Sequence, residues 1–143
     1  MSSTTIVPRP ISITAGGCET LSWLAEHRRL ALDDDIMADA AAGETPAERR
    51  SVRAGQLRLI AGLSRSAENG AVQAASVPKL VSLLRLARAD RRRTLAENLE
   101  AVEERGGDMG DVRDSERLIA AIESLMRTLG TDPHAKPDAG EES

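Results

Sequence analysis

Apolar residues recur along this chain mostly at helical spacing, and four stretches carry the pattern. In the first, over residues 19–32, Leu21, Leu24, Ala25, Ala31 and Leu32 share a face. Asp33, Asp34 and Asp35 follow, which suit a helix start and fit a helix end poorly. The stretch therefore reads either as one helix running on toward residue 42 or as two shorter ones, the second carrying Ile36, Met37 and Ala40. The second stretch has the sharpest beginning. Thr45, Pro46, Ala47 and Glu48 form a capping box: Thr45 accepts from the Glu48 amide, Glu48 reaches back, and Pro46 takes the first helical position. This predicts a helix over 46–68 with Asn69 and Gly70 as a left-handed stop. Val52, Leu59, Leu63 and Ser66 lie on one side of it, with Leu57, Ile60 and Ala61 close by. Gly55 and Gly62, seven apart, leave a bare strip that marks a close helix approach.

A third helix is predicted over 77–105, capped by Ser76 and with Pro78 tolerated in its first turn. Residues 80–87 are apolar nearly all round and are expected to be buried. The second half keeps only a thin stripe of Leu95, Leu99 and Val102. At ~1.5 Å per residue this helix would span roughly 43 Å. That outruns a compact domain of this size, so the stripe is assigned to contact with another subunit. Gly106, Gly107 and Gly110 make the next turn. A fourth helix over 112–129 carries Leu118, Ile119, Ile122, Leu125, Met126 and Leu129 on one stripe, with Asp111 and Asp114 at its start and Gly130 at its end.

The flanks differ. Residues 6–14 alternate apolar and polar, but Pro8 and Pro10 forbid a central strand, so residues 1–18 read as an extended arm closed by Ala15, Gly16 and Gly17. Residues 131–143 hold two prolines, several acids and no apolar pattern, and are expected to be disordered. The expectation is an all-α fold. A helical bundle of four to five helices with one long helix fills residues 19–130, between an extended N-terminal arm and a disordered acidic C-terminal tail.

Composition narrows the function classes. The chain has 143 residues, and Trp23 is its only aromatic residue, with no Phe or Tyr. Such a core suits packed helices, and the lack of rings argues against stacking platforms for single-stranded nucleic acid. Trp23 itself reads as core or as an interface anchor. A single cysteine, Cys18, excludes an internal disulfide and a cysteine-rich zinc site, and fits a reducing compartment. The first residues lack a signal peptide's charged start and apolar run, and no stretch approaches a membrane span. A cytoplasmic protein with no membrane association is expected.

Catalytic constellations are thin. His27 and His134 lack spaced partners for zinc or a triad, and Cys18 has no neighbouring base. Asp35 and Asp39 could share Mg²⁺ if helical, the basis of a remote hydrolase reading over residues 33–39. No phosphate-binding glycine loop is present. The reading is a non-enzyme with no cofactor and no metal.

Charge is segregated. Residues 1–45 hold three basic and seven acidic residues, residues 46–93 eleven basic and three acidic, and residues 94–143 five basic and thirteen acidic. Seventeen of the nineteen basic residues are Arg, which favours planar contact with phosphate or carboxylate. The candidates are Arg49, Arg53 and Arg58 on the second helix and Arg85, Arg88, Arg91, Arg92 and Arg93 on the long one. Arg49, Arg53, Arg85, Arg88 and Arg92 form the rows that backbone phosphates of double-stranded DNA would need. The same arginines could instead pair with acidic helix faces such as Glu97, Glu100, Glu103 and Glu104, or dock on an acidic protein partner.

Residues 76–88, rich in Leu and Arg (Leu80, Leu83, Leu84, Arg85, Arg88), precede a long polar helix, another helix and a charged tail. In this layout residues 46–130 resemble the small terminase subunits of tailed bacteriophages. That resemblance implies an all-helical homo-oligomer, a ring, that engages viral DNA and regulates packaging. The alternative is a helical interaction module: a virion adaptor, assembly chaperone or small inhibitor whose arginines dock on acidic protein.

Overall fold

A computed structural model describes residues 9–43, 46–107 and 109–134, with only the backbone given for 46–48. The capping box at 45–48 and the tail beyond residue 134 lie outside the described side chains, as does the arm before residue 9. The described chain is all-α apart from two two-residue strands, and it divides into two compact units, each built on one helical hairpin.

The first unit spans residues 12–73. Strand β1 (Ile11–Ser12) leads into α1 (Ala15–Ala41), which packs on α2 (Pro46–Asn69), and β2 (Ala71–Val72) pairs with β1. The prolines confine β1 to two residues, and the Ile13 amide donates to the Gly70 carbonyl at 2.9 Å. The arm ends at residue 14, earlier than expected, because Ala15, Gly16 and Gly17 form the first turn of α1. Thr14 caps that turn, its Oγ1 accepting from the Gly17 amide at 3.0 Å. Thr20 Oγ1 donates back to the Gly16 carbonyl at 2.9 Å.

One continuous α1 runs through Asp33, Asp34 and Asp35, which are all exposed and keep their water. The seam of this hairpin buries Leu21, Leu24, Ala25 and Leu32 on α1 and Ile60 and Leu63 on α2. Ala31 is exposed, as are Val52, Leu57 and Ala61, so the buried edge of α2 is narrower than the periodicity implied. Gly55 and Gly62 mark no close approach, since a Cβ at either would meet nothing within 4 Å. Gly70, with φ of 66°, supplies the left-handed stop.

The second unit takes in the described residues 9–11 and the hairpin of α3 (Val77–Arg105) and α4 (Met109–Thr128), entered by a 3₁₀ turn (Ala74–Ser76). That turn holds Ser76 in a helical conformation, and its side chain makes no capping bond. Leu80, Val81 and Leu84 are buried, whereas Leu86 is exposed, contrary to the all-round burial expected of 80–87. On α4, Val112, Ser115, Ile119, Ile122, Leu125 and Met126 are buried along one stripe. The chain then turns back. The Gly130 amide donates to the Arg127 carbonyl and the Thr131 amide to the Met126 carbonyl, both at 2.9 Å, the pattern of a Schellman stop with Gly130 left-handed. Pro133, just past this stop, is buried.

Candidate interaction surfaces

The arginine block is split by the fold into pairs that serve the hairpins and residues that face outward. In the first unit, Asp39 lies near the end of α1, opposite the start of α2. Its Oδ2 receives Arg53 Nη2 at 3.0 Å and lies 3.5 Å from Arg49 Nε. Asp39 and Arg53 are about four-fifths buried, so the pair ties the two helices together near the turn end of the hairpin. These residues, with Asp35, Val52 and Gln56, line a recess of about 160 Å³. A divalent cation between Asp35 and Asp39 would meet two guanidinium charges there. Among the described residues no three His, Cys, Asp or Glu side chains cluster as a metal site requires.

In the second unit, Arg88 turns into its own hairpin. Its Nη2 lies 3.6 Å from Glu123 Oε2 and 3.3 Å from His134 Nδ1, while His134 Nε2 lies 2.9 Å from the same Glu123 oxygen. Arg127 Nη2 stands 4.0 Å away from that oxygen. The Arg88 and Glu123 side chains are 15% and 13% exposed, and Arg88 Nε is buried with no hydrogen-bond partner among the described residues. Hence Arg85, Arg88 and Arg92 do not form one free row. Arg85 and Arg91 are half-buried and engaged, Arg93 pairs with Asp90 on its own helix, and Arg92 is exposed. Arg58 is exposed on α2.

Asp39 holds Arg49 and Arg53, Glu123 holds Arg88 and Asp90 holds Arg93, while Glu97, Glu100, Glu103 and Glu104 are exposed along α3. Of the stripe assigned to subunit contact, Leu95 and Val102 are half-buried within the chain and Leu99 is exposed.

Sequence reasoning missed Glu123 and His134 as partners of Arg88. The 35 and 46 residues between them leave no local signal, and only the hairpin register brings them together. Trp23 is half-buried and stacks on His27, ring centroids 5.2 Å apart and nearly parallel. Cys18 is a half-buried free thiol. No described helix is long and apolar enough to cross a membrane.

No protein-family model, curated protein or solved structure matches the chain. Its class is therefore given by architecture: an α-helical protein of two hairpins, each pinned by an internal arginine–carboxylate pair, with charged and apolar side chains on the outer helix faces.

Proposed function

We propose that the chain is a non-enzymatic, cytoplasmic protein–protein interaction module, of the kind that serves as an adaptor, assembly chaperone or small inhibitor. One observation carries this reading: Arg49, Arg53, Arg88 and Arg93 already stand on carboxylates of their own hairpins. The exposed remainder of the block lies beside exposed apolar side chains, such as Leu57 next to Arg58. Mixed apolar and charged helix faces suit protein partners, which need an apolar centre with charge around it. The test is affinity capture with the full chain and with Leu57→Ser and Arg58→Glu variants. A retained protein that both variants release is expected, and retention indifferent to both overturns the reading.

A second reading, DNA engagement by a packaging subunit resembling a small terminase, rests on exposed Arg58 and Arg92 and on the surplus of basic residues over 46–93. It expects binding to a DNA duplex that weakens steeply with salt and is lost in R58E/R92E. No binding at low salt refutes it.

A further inference from the structure

The outer faces of the first hairpin are complementary to each other. On α1, Leu30 and Met37 are 56% and 71% exposed and seven residues apart, so they line up on one side of the helix. The buried seam residues Leu21 and Leu32 fall on the other side. Glu26, Asp33 and Asp34 flank this stripe, all exposed, and no Arg or Lys falls within the same roughly 120° of arc. On α2, Leu57 is 57% exposed at the border between the seam, which Ile60 marks three residues on, and the outer face. Arg50, Arg58 and Arg65 share that face and are exposed, separated by the small Ala54 and Ala61, with Glu68 as its one acid. One face is thus apolar and acidic, and the other apolar and basic.

The spacings agree as well. Glu26 is followed seven and eight residues later by Asp33 and Asp34, and the three arginines are eight and seven apart. The acidic face thus has two levels and the basic face three, each about 11 Å apart along its helix. Laid side by side, two successive arginines of one helix meet the two carboxylate levels of the other, with Leu57 against the Leu30 and Met37 stripe.

We infer that the occupant of each face is a second copy of this chain, with α2 of one molecule docking on α1 of the next. The inference rests on the interaction-module reading and names its partner. Because the two faces are different surfaces of one hairpin, the contact is head-to-tail. It closes into a ring or continues as a filament according to the rotation between neighbours.

Sedimentation velocity on the full chain, at about 50 mM and about 500 mM salt, tests this. The wild type is expected to form species above the monomer that grow with concentration and recede at high salt, where exposed pairs are screened. R58E/R65E makes both faces acidic and E26R/D33R makes both basic, so each variant alone is expected to be monomeric. Mixed in equal amounts they are expected to associate again, because each then offers the face the other lacks. All four substitutions are at exposed positions, and circular dichroism verifies that the variants stay folded.

A wild type that is monomeric throughout overturns the inference. So does association that neither double variant weakens, or a mixture that stays monomeric. A monomeric chain that still captures a partner released by Leu57→Ser and Arg58→Glu overturns self-docking and leaves the module reading standing. A monomer whose captures ignore both substitutions overturns both.

Discussion

Glu123 is the residue whose loss should cost the second hairpin most. Its Oε2 lies 2.9 Å from His134 Nε2, 3.6 Å from Arg88 Nη2 and 4.0 Å from Arg127 Nη2, so one oxygen faces three cationic or donor groups. Replacement by Gln keeps the volume and removes the charge. An exposed ion pair is worth about 0.2–1 kcal/mol, while removing one member of a fully buried pair costs about 3–5 kcal/mol. Arg88 and Glu123 are nearly seven-eighths buried, but the 3.6 Å separation weakens their contact, and the sum is placed at about 2 kcal/mol. The unpartnered Arg88 Nε argues against a smaller figure, because the guanidinium already lacks one hydrogen bond before the carboxylate goes. Urea unfolding followed by circular dichroism at 222 nm measures the change. If residues 74–134 melt as their own unit, the midpoint temperature falls by about 8–16 °C for that loss. A companion, R88M/E123L, replaces the pair by apolar side chains of similar size and should recover most of the stability. The reasoning is refuted if Glu123→Gln stays within about 0.5 kcal/mol of wild type, the usual range of an indifferent surface substitution. A double variant as unstable as the single one refutes it too.

Three further outcomes follow from the first hairpin. Thr14→Ala removes the cap on the Gly17 amide and should cost about 1 kcal/mol, read by the fluorescence of Trp23 on the same helix during urea unfolding. Asp39→Asn leaves Arg49 and Arg53 without their shared charge and should cost about 1 kcal/mol, while Arg49→Ala, the more distant and more exposed partner, should cost less. Gly55→Ala and Gly62→Ala add a methyl where nothing lies within 4 Å, and each should stabilise by about 0.8 kcal/mol in thermal melts. A loss instead would show that α2 packs more tightly than described.

Element boundaries were legible wherever a residue has few conformational options. Pro78 and Gly106 bracket α3, Gly70 stops α2 and Gly130 stops α4, each with the backbone its residue type favours. The stripe on α4 was equally plain, since Ile119, Ile122, Leu125 and Met126 recur at helical spacing among charged, polar or small residues. The start of α1 was missed because two glycines read as a break, whereas a threonine just before them satisfies the first turn. The fate of the arginines was hidden for a different reason. Whether Arg88 meets water, phosphate or Glu123 depends on the register of α3 against α4, which periodicity on one helix does not encode. Likewise Leu86 and Leu84 belong to one apolar run, yet only the second is buried.

The two hairpins follow one another along the chain, and this orders their formation in time. Each closes between helices adjacent in sequence, a low-contact-order arrangement that folds in microseconds to milliseconds. Synthesis at about 5–20 residues per second leaves several seconds between completion of residue 73 and completion of α4. Arg49 and Arg53 therefore find Asp39 before Glu123 has been made. For a chain with seventeen arginines, birth order itself sorts cations to their proper carboxylates.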